Sequence, residues 1–331
     1  MISEHLLVDA LRTAVAEGER VRGTTSPNPP VGCAIVGPGG ELIASAGTHP
    51  AGGPHAEAAA LAVAGDRARG ATAVVTLEPC NHTGRTGPCA EALARAGVAE
   101  VVYLAADPNP VAAGGAEYLR GRGVAVRHLA APVAALEPWL AAVRLGRPAV
   151  TWKYAATADG FTAAADGTSQ WITGPVARER VHRDRAKRDA IIVGTGTAIA
   201  DNPSLTARRP DGSLFPTQPR RVVIGSRPVP PGNLAEFGYE QYPDPQTALR
   251  ELWDTGARDV LVEGGAVLAR SFLEADLVDF VQAYTAPAFL GAGRGVLAGA
   301  VAGTIADARR FAPVRAELVG EDVLFEMRRK A

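Results

Sequence analysis

The chain has 331 residues, with 34 basic and 35 acidic side chains and a net charge of −1. Balanced charge, 5% aromatics and no Lys/Arg block argue against a nucleic-acid surface, and no apolar run approaches the ~20 residues of a membrane helix. The length suits two domains, 47% hydrophobic residues support real cores, and three cysteines fit a reducing compartment better than a disulfide framework. The opening Met1-Ile2-Ser3-Glu4-His5 has acid where a secretory signal has base, so a cytoplasmic location is expected.

In chain order, residues 5–17 pattern as a helix. Val31–Val36 and Leu42–Ala46 read as paired strands around Gly37-Pro38-Gly39-Gly40. His55 opens an Ala-rich helix, Ala56–Ala64, and Ala73–Leu77 is a strand running into Glu78-Pro79-Cys80. Pro88 suits a first helical residue and Gly97 stops that helix after Ala90–Ala96. Strands are expected at Val98–Leu104 and Val124–Leu129, with a helix between them after Asp107-Pro108-Asn109-Pro110. The amphipathic stretch Pro132–Leu145 is expected to dock on this first domain, and a boundary falls near Gly146-Arg147-Pro148. Alternating helices and strands indicate an α/β class.

Beyond the boundary, strands are expected at Ala149–Tyr154, Ala190–Val193, Arg221–Ile224, Asp259–Val262 and Phe280–Tyr284, with a final short pair between Arg315 and Met327. Helices are expected at Val176–Arg188, Pro245–Thr255 and Val267–Glu274. Glycine-bearing runs end two of these strands, Val193-Gly194-Thr195-Gly196-Thr197 and Val262-Glu263-Gly264-Gly265. Such turns let backbone N–H groups approach a phosphate, although Ile199 breaks a dinucleotide fingerprint after Gly194 and Gly196.

The chemistry concentrates in the first domain. His55-Ala56-Glu57, Pro79-Cys80 and Pro88-Cys89 supply one imidazole and two thiols, a set that holds Zn²⁺ and leaves its fourth position open. Each donor is expected at or near a helix N-terminus, where partial positive charge favours thiolate. A closed structural site would need a fourth ligand. The spare thiol, Cys33, lies in the apolar run Val31–Val36, where a buried free cysteine is the ordinary reading. His-x-Glu with a later Pro-Cys and Cys resembles the zinc-dependent base deaminases, in which the Glu shuttles protons.

Here eight residues separate the cysteines, and the run from Thr76 to Cys89 closely resembles the deaminase half of the bifunctional riboflavin-biosynthesis deaminase/reductases. The runs Ala155–Gly160, Ser169–Thr173, Val193–Thr197, Asp201–Thr206 and Val262–Gly265 resemble the reductase half. The resemblance implies a cytidine-deaminase-like three-layer α/β/α domain over 1–146 and a dihydrofolate-reductase-like α/β domain over 147–331. It implies Zn²⁺ on His55, Cys80 and Cys89, Glu57 as proton shuttle, and NADPH as hydride source. The implied substrate is 2,5-diamino-6-ribosylamino-4(3H)-pyrimidinone 5′-phosphate, held in the first site by Asn28. His49, Arg85, Asp107 and Asn109 are further candidates for its ribose and phosphate. By family position, Ser169, Arg185, Leu205, Arg208 and Glu263 hold the reductase substrate, while Ala155, Trp171, Thr197, Asp201, Ser226 and Gly265 line the cofactor. Each has a plainer alternative: Asn28 an Asn-Pro turn, Arg185 a solvated helix face, Trp171 a core residue.

Two departures stand out. The segment between Ser226 and Leu252 is short where many relatives carry an extra strand and helix, and Gly225 replaces a common Asp. A deaminase with a shortened, non-reducing second domain is therefore one rival reading. A nucleic-acid base deaminase is another, disfavoured by composition. A homo-oligomer, dimer or tetramer, is expected.

Overall fold

The computed structural model describes residues 3–82 and 87–330. The backbone divides into two compact units, Met1–Gly146 and Arg147–Ala331. Among the described residues no helix is long and apolar enough to cross a membrane.

In the first unit, α1 (Glu4–Val21) leads to β1 (Gly32–Val36), β2 (Leu42–Gly47), α2 (Ala56–Ala64), β3 (Thr72–Leu77) and α3 (Cys89–Ala96). There follow β4 (Glu100–Ala105), α4 (Gly115–Gly121), β5 (Ala125–His128) and α5 (Glu137–Leu145). The sheet runs β2-β1-β3-β4-β5. β1 is antiparallel to both neighbours, while β3, β4 and β5 are parallel. β1 and β3 are buried along their whole length, which explains why both are mainly apolar, with Thr72 and Thr76 the exceptions in β3: both sheet faces are covered. Ala34, Val36, Val74 and Val102 pack with Leu7, Ala10 and Ala14 of α1. Their alternates Cys33, Ile35, Ala73 and Val75 pack with α2, α3 and α5. The result is three layers, α/β/α. Alanines along α1 and α2 allow close approach: a Cβ on Gly32 would lie 1.8 Å from the Ala14 carbonyl oxygen. α5 joins the same core through Leu136, Trp139 and Leu140, and Trp139 Nε1–H donates to Pro27 O at 2.9 Å.

The second unit opens with β6 (Ala149–Thr157), β7 (Phe161–Ala164), α6 (Pro175–Arg185), β8 (Ala190–Gly194), α7 (Thr195–Asp201) and β9 (Arg220–Ile224). It continues through α8 (Asn233–Phe237), β10 (Glu240–Tyr242), α9 (Pro245–Asp254), β11 (Asp259–Val262), α10 (Ala266–Glu274) and β12 (Phe280–Ala286). The last strands are β13 (Gly293–Gly295), β14 (Phe311–Val319) and β15 (Asp322–Arg329). Eight strands form one sheet, β10-β9-β8-β11-β6-β12-β15-β14, and β13 pairs with β7 separately. The first six are parallel and β15 and β14 are antiparallel additions.

The structure corrects several sequence expectations. The terminal hairpin is longer than the short pair expected. α6 ends at Arg185, three residues before its expected end, and Arg188 beyond it is buried against Asp184, Asp259 and Thr151. The shortened segment after Ser226 retains a helix, α8, and an edge strand, β10, which is parallel to β9. These elements are of five and three residues, below the length at which periodicity is legible.

Candidate active sites

In the first unit the sequence separations collapse. His55 caps α2, Cys89 is the first residue of α3, and Cys80 lies in the loop after β3. Cys80 is thus not at a helix start, but the Cys89 N–H at the start of α3 points at its sulfur, 3.4 Å away. His55 Nδ1 lies 3.6 Å from Cys80 Sγ and 3.4 Å from Cys89 Sγ, and one donor atom from each residue falls within 4.8 Å of the others. Tetrahedral zinc, with bonds of about 2.3 Å to sulfur and 2.0–2.1 Å to nitrogen, sets S and N roughly 3.5 Å apart. The donor set therefore fits Zn²⁺, with Nδ1 as the imidazole donor. Cys33 is fully buried in the sheet core and lies outside this group.

Electrostatics agree with that fit. The hydrogen bond from the Cys89 thiol holds Cys80 well below the usual thiol range, at about 4. The same pairing, with burial, drives Cys89 far upward. Two adjacent sulfurs cannot share negative charge unaided, and a divalent cation lets both ionise. Glu57, on the first turn of α2, is 4% exposed. Burial, reinforced by the negative Cys80, pushes its carboxyl up to about 7. That is the range in which a carboxyl both gives and takes a proton at neutral pH.

His55, Glu57 and Cys80 open into a cavity of 380 Å³, lined also by Asn28, Thr48, Glu78, His82, Asp107, Asn109 and Trp139. Asn28, Asp107 and Asn109 of the expected set thus reach it. His49 does not line it, and Arg85 lies outside the described residues. Burial raises the Asp107 carboxyl to about 6. His82 was missed by the sequence reading. Its buried Nδ1 has no hydrogen-bond partner among the described residues.

The second unit holds a cavity of 820 Å³ at the ends of its parallel strands. It is lined by Ala155, Ser169, Trp171, Arg185, Thr197, Asp201, Arg208, Glu263 and Gly265. Leu205 and Ser226 are not in its wall. Leu205 is buried against Ile191, Val223 and Leu261, in a left-handed conformation (φ 48°) unusual for a branched side chain. Ser226 is exposed beyond the end of β9. Trp171 is 69% exposed under the Arg178 guanidinium, 4.6 Å from its ring centroid, so it is not core.

Arg185 is neither a solvated residue nor a free phosphate arm. It forms a bidentate pair with Glu263, Nε to Oε1 at 2.6 Å and Nη2 to Oε2 at 2.7 Å, while Nη1 donates to Thr206 O. The Lys153 side chain, on β6, is largely buried, with Nζ 4.0 Å from Glu263 Oε2. Burial lowers its pKa. Burial opposes the Glu263 charge, but Arg185 and then Lys153 overcome it and hold that carboxyl at about 2. The sequence signal for Lys153 was scarcity, since it is one of three lysines in a chain that otherwise uses arginine.

Gly264 and Gly265 lead from β11 into α10, and the Gly265 N–H lies 3.1 Å from Thr197 Oγ1. A Cβ on Gly265 would sit 2.9 Å from that hydroxyl. Thr197, Gly264 and Gly265 all line the cavity, so this turn and its hydroxyl form the wall that a dinucleotide phosphate would meet.

Comparison with known proteins finds two family matches in succession along the chain. Residues 6–105 match the cytidine and deoxycytidylate deaminase zinc-binding region, and residues 148–325 match the RibD C-terminal domain. The riboflavin biosynthesis protein RibD of Corynebacterium ammoniagenes is 55% identical, covering 95% of this chain and 96% of the relative. That of Escherichia coli is 37% identical over 99% of both. A diaminohydroxyphosphoribosylaminopyrimidine deaminase/5-amino-6-(5-phosphoribosylamino)uracil reductase from Thermotoga maritima superposes with a TM-score of 0.87 at 32% identity, covering 98% of this chain and 99% of that one. With whole-length relatives and a full reductase domain, a deaminase-only reading is not favoured. On those matches, and on a first unit built for zinc beside a second built for a dinucleotide, the chain belongs to the RibD family of bifunctional riboflavin-biosynthesis deaminase/reductases.

Proposed function

We propose that this chain deaminates 2,5-diamino-6-ribosylamino-4(3H)-pyrimidinone 5′-phosphate in residues 1–146 and reduces the ribosyl group of the product to ribityl in residues 147–331. The observation that carries the reading is the His55–Cys80–Cys89 triangle beside a buried Glu57, in a chain that also holds the Gly264-Gly265 turn in its second cavity. Bound zinc acidifies water at the reacting carbon. Glu57 takes one proton of the attacking water and passes it to the ring nitrogen, then moves the remaining hydroxyl proton to the departing amine, so that the water oxygen stays as the ring carbonyl and the amine leaves as ammonia. Asn28 orients the ring, with Asp107, Asn109 and His82 around the ribosyl phosphate.

In the second cavity the bound cofactor, NADPH, supplies hydride to the anomeric carbon. Opening the ribose ring leaves its oxygen in need of a proton. Lys153 is suited to give it, being largely buried, cationic and held beside Glu263, which is ionised at neutral pH. Ser169, Arg208 and Arg185 position the substrate, while Ala155, Trp171, Thr197, Asp201, Ser226 and Gly265 face the cofactor.

We place the enzyme in the cytoplasm as a homo-oligomer, dimer or tetramer. The exposed apolar face of Val314, Leu318, Val323 and Phe325 on β14 and β15 supports self-association. The reading is tested by incubating zinc-loaded protein with the pyrimidinone substrate, with and without NADPH, and weighing the products. Deamination in both samples and reduction only with NADPH is expected. Unchanged substrate in both would sink it.

A further inference from the structure

The sheet of the second unit sets the ends of β11, β8 and β9 side by side, at steps of about 4.8 Å. They carry Glu263-Gly264-Gly265, Gly194-Thr195-Gly196-Thr197 and Gly225-Ser226-Arg227. The first two ends contribute to the cavity wall, and the third lies one strand further out. A dinucleotide whose phosphates rest at Gly265 and Thr197 therefore extends its adenosine end toward β9.

What waits there is a cation without a counter-charge. The amide of Gln241, on β10, donates to the carbonyls of Gly225 at 2.6 Å and Arg227 at 2.9 Å, which fixes the turn. The Arg227 guanidinium reaches back over the end of β8: a Cβ on Gly196 would lie 3.4 Å from Nη2. Arg227 is exposed, and its guanidinium has no ion pair or hydrogen bond among the described residues. The acid of the neighbouring strand, Glu240, is taken by Arg220 and Tyr242. Position 225 itself excludes a carboxylate. Its φ is +126°, and a Cβ there would lie 2.7 Å from Thr195 Oγ1. A ribose with two free hydroxyls is read by a carboxylate that accepts from them. A ribose 2′-phosphate is repelled by a carboxylate and held by a guanidinium fork.

We propose that Arg227 is the specificity residue that reads the ribose 2′-phosphate of the reductase cofactor, with the Ser226 hydroxyl as a second donor. This deepens the reductase reading above and rests on it. The test titrates the zinc-loaded full chain calorimetrically with NADPH, NADH, 2′,5′-ADP and 5′-AMP, for wild type, Arg227→Ala and Arg227→Lys. Arg227→Ala is expected to weaken NADPH and 2′,5′-ADP by about 10–100-fold, leaving NADH and 5′-AMP within about threefold. Arg227→Lys recovers part of the loss, because a point charge survives without the fork. Retained binding of NADH and 5′-AMP controls for the folding of the second unit. Equal weakening of NADPH and NADH would mean a structural role and would overturn the proposal. An unchanged NADPH preference in Arg227→Ala would overturn it while leaving the reductase reading intact. A wild type that binds neither dinucleotide removes the reductase reading and the proposal with it.

Discussion

Each unit is centred on one buried glutamate, and the two are driven in opposite directions. Glu57 faces thiols and an imidazole, and burial lifts its carboxyl to about 7. The Glu263 side chain is also largely buried, but Arg185 and Lys153 hold it at about 2. Burial alone disfavours the charge in both cases. The neighbours decide, so Glu57 can move protons near neutral pH while Glu263 stays an anion that anchors two cations. The same residue type is a mobile acid–base group in one unit and a fixed counter-ion in the other.

The largest effect that separates the units should come from the metal set. Cys80→Ser or Cys89→Ser should lose zinc by metal analysis and abolish ammonia release. The same proteins, given pre-deaminated substrate, should still oxidise NADPH. Full zinc retention in both variants would remove the assigned ligands. Glu57→Gln sharpens the contrast further, since it should keep zinc yet slow deamination by about 10²–10⁴-fold. Near-normal ammonia release from it would end the shuttle role.

Glu263→Gln should act on the other unit alone, removing reduction and costing on the order of 3 kcal/mol at neutral pH. Its folded pKa lies below the ordinary value of 4.5, so its contribution is complete above that value and is lost as pH falls toward about 2. The stability gap between wild type and variant, read from denaturant unfolding by tryptophan fluorescence, should therefore be flat above pH 4.5 and close below it. A gap that persists at pH 2 would mean that packing, not charge, sets the cost. The smallest effect expected is that of Trp171→Ala. The side chain is exposed, so stability should change by no more than about 0.5 kcal/mol. NADPH affinity should still fall if the indole faces the cofactor, and an unchanged affinity in a binding titration would take Trp171 out of that role.

Much of this division is legible in the chain itself. The donor types at His55, Cys80 and Cys89, and the Glu two residues after the His, are local facts. The mainly apolar runs of β1, β3 and β11 are as local, because a strand covered on both faces needs apolar residues on both. Gly264-Gly265 after β11 is a local mark of close approach. What the tertiary structure decided is which side chains meet across long separations. The Arg185–Glu263 pair closes over 78 residues, and only the sheet order β8-β11-β6 brings Lys153 beside it. Arg185 therefore looked like a solvated helix residue or a phosphate arm until its partner was known. Leu205 became core and Trp171 became surface for the same reason. Periodicity records whether a position is covered, whereas the identity of the covering group depends on strand order and register, which short-range pattern does not encode.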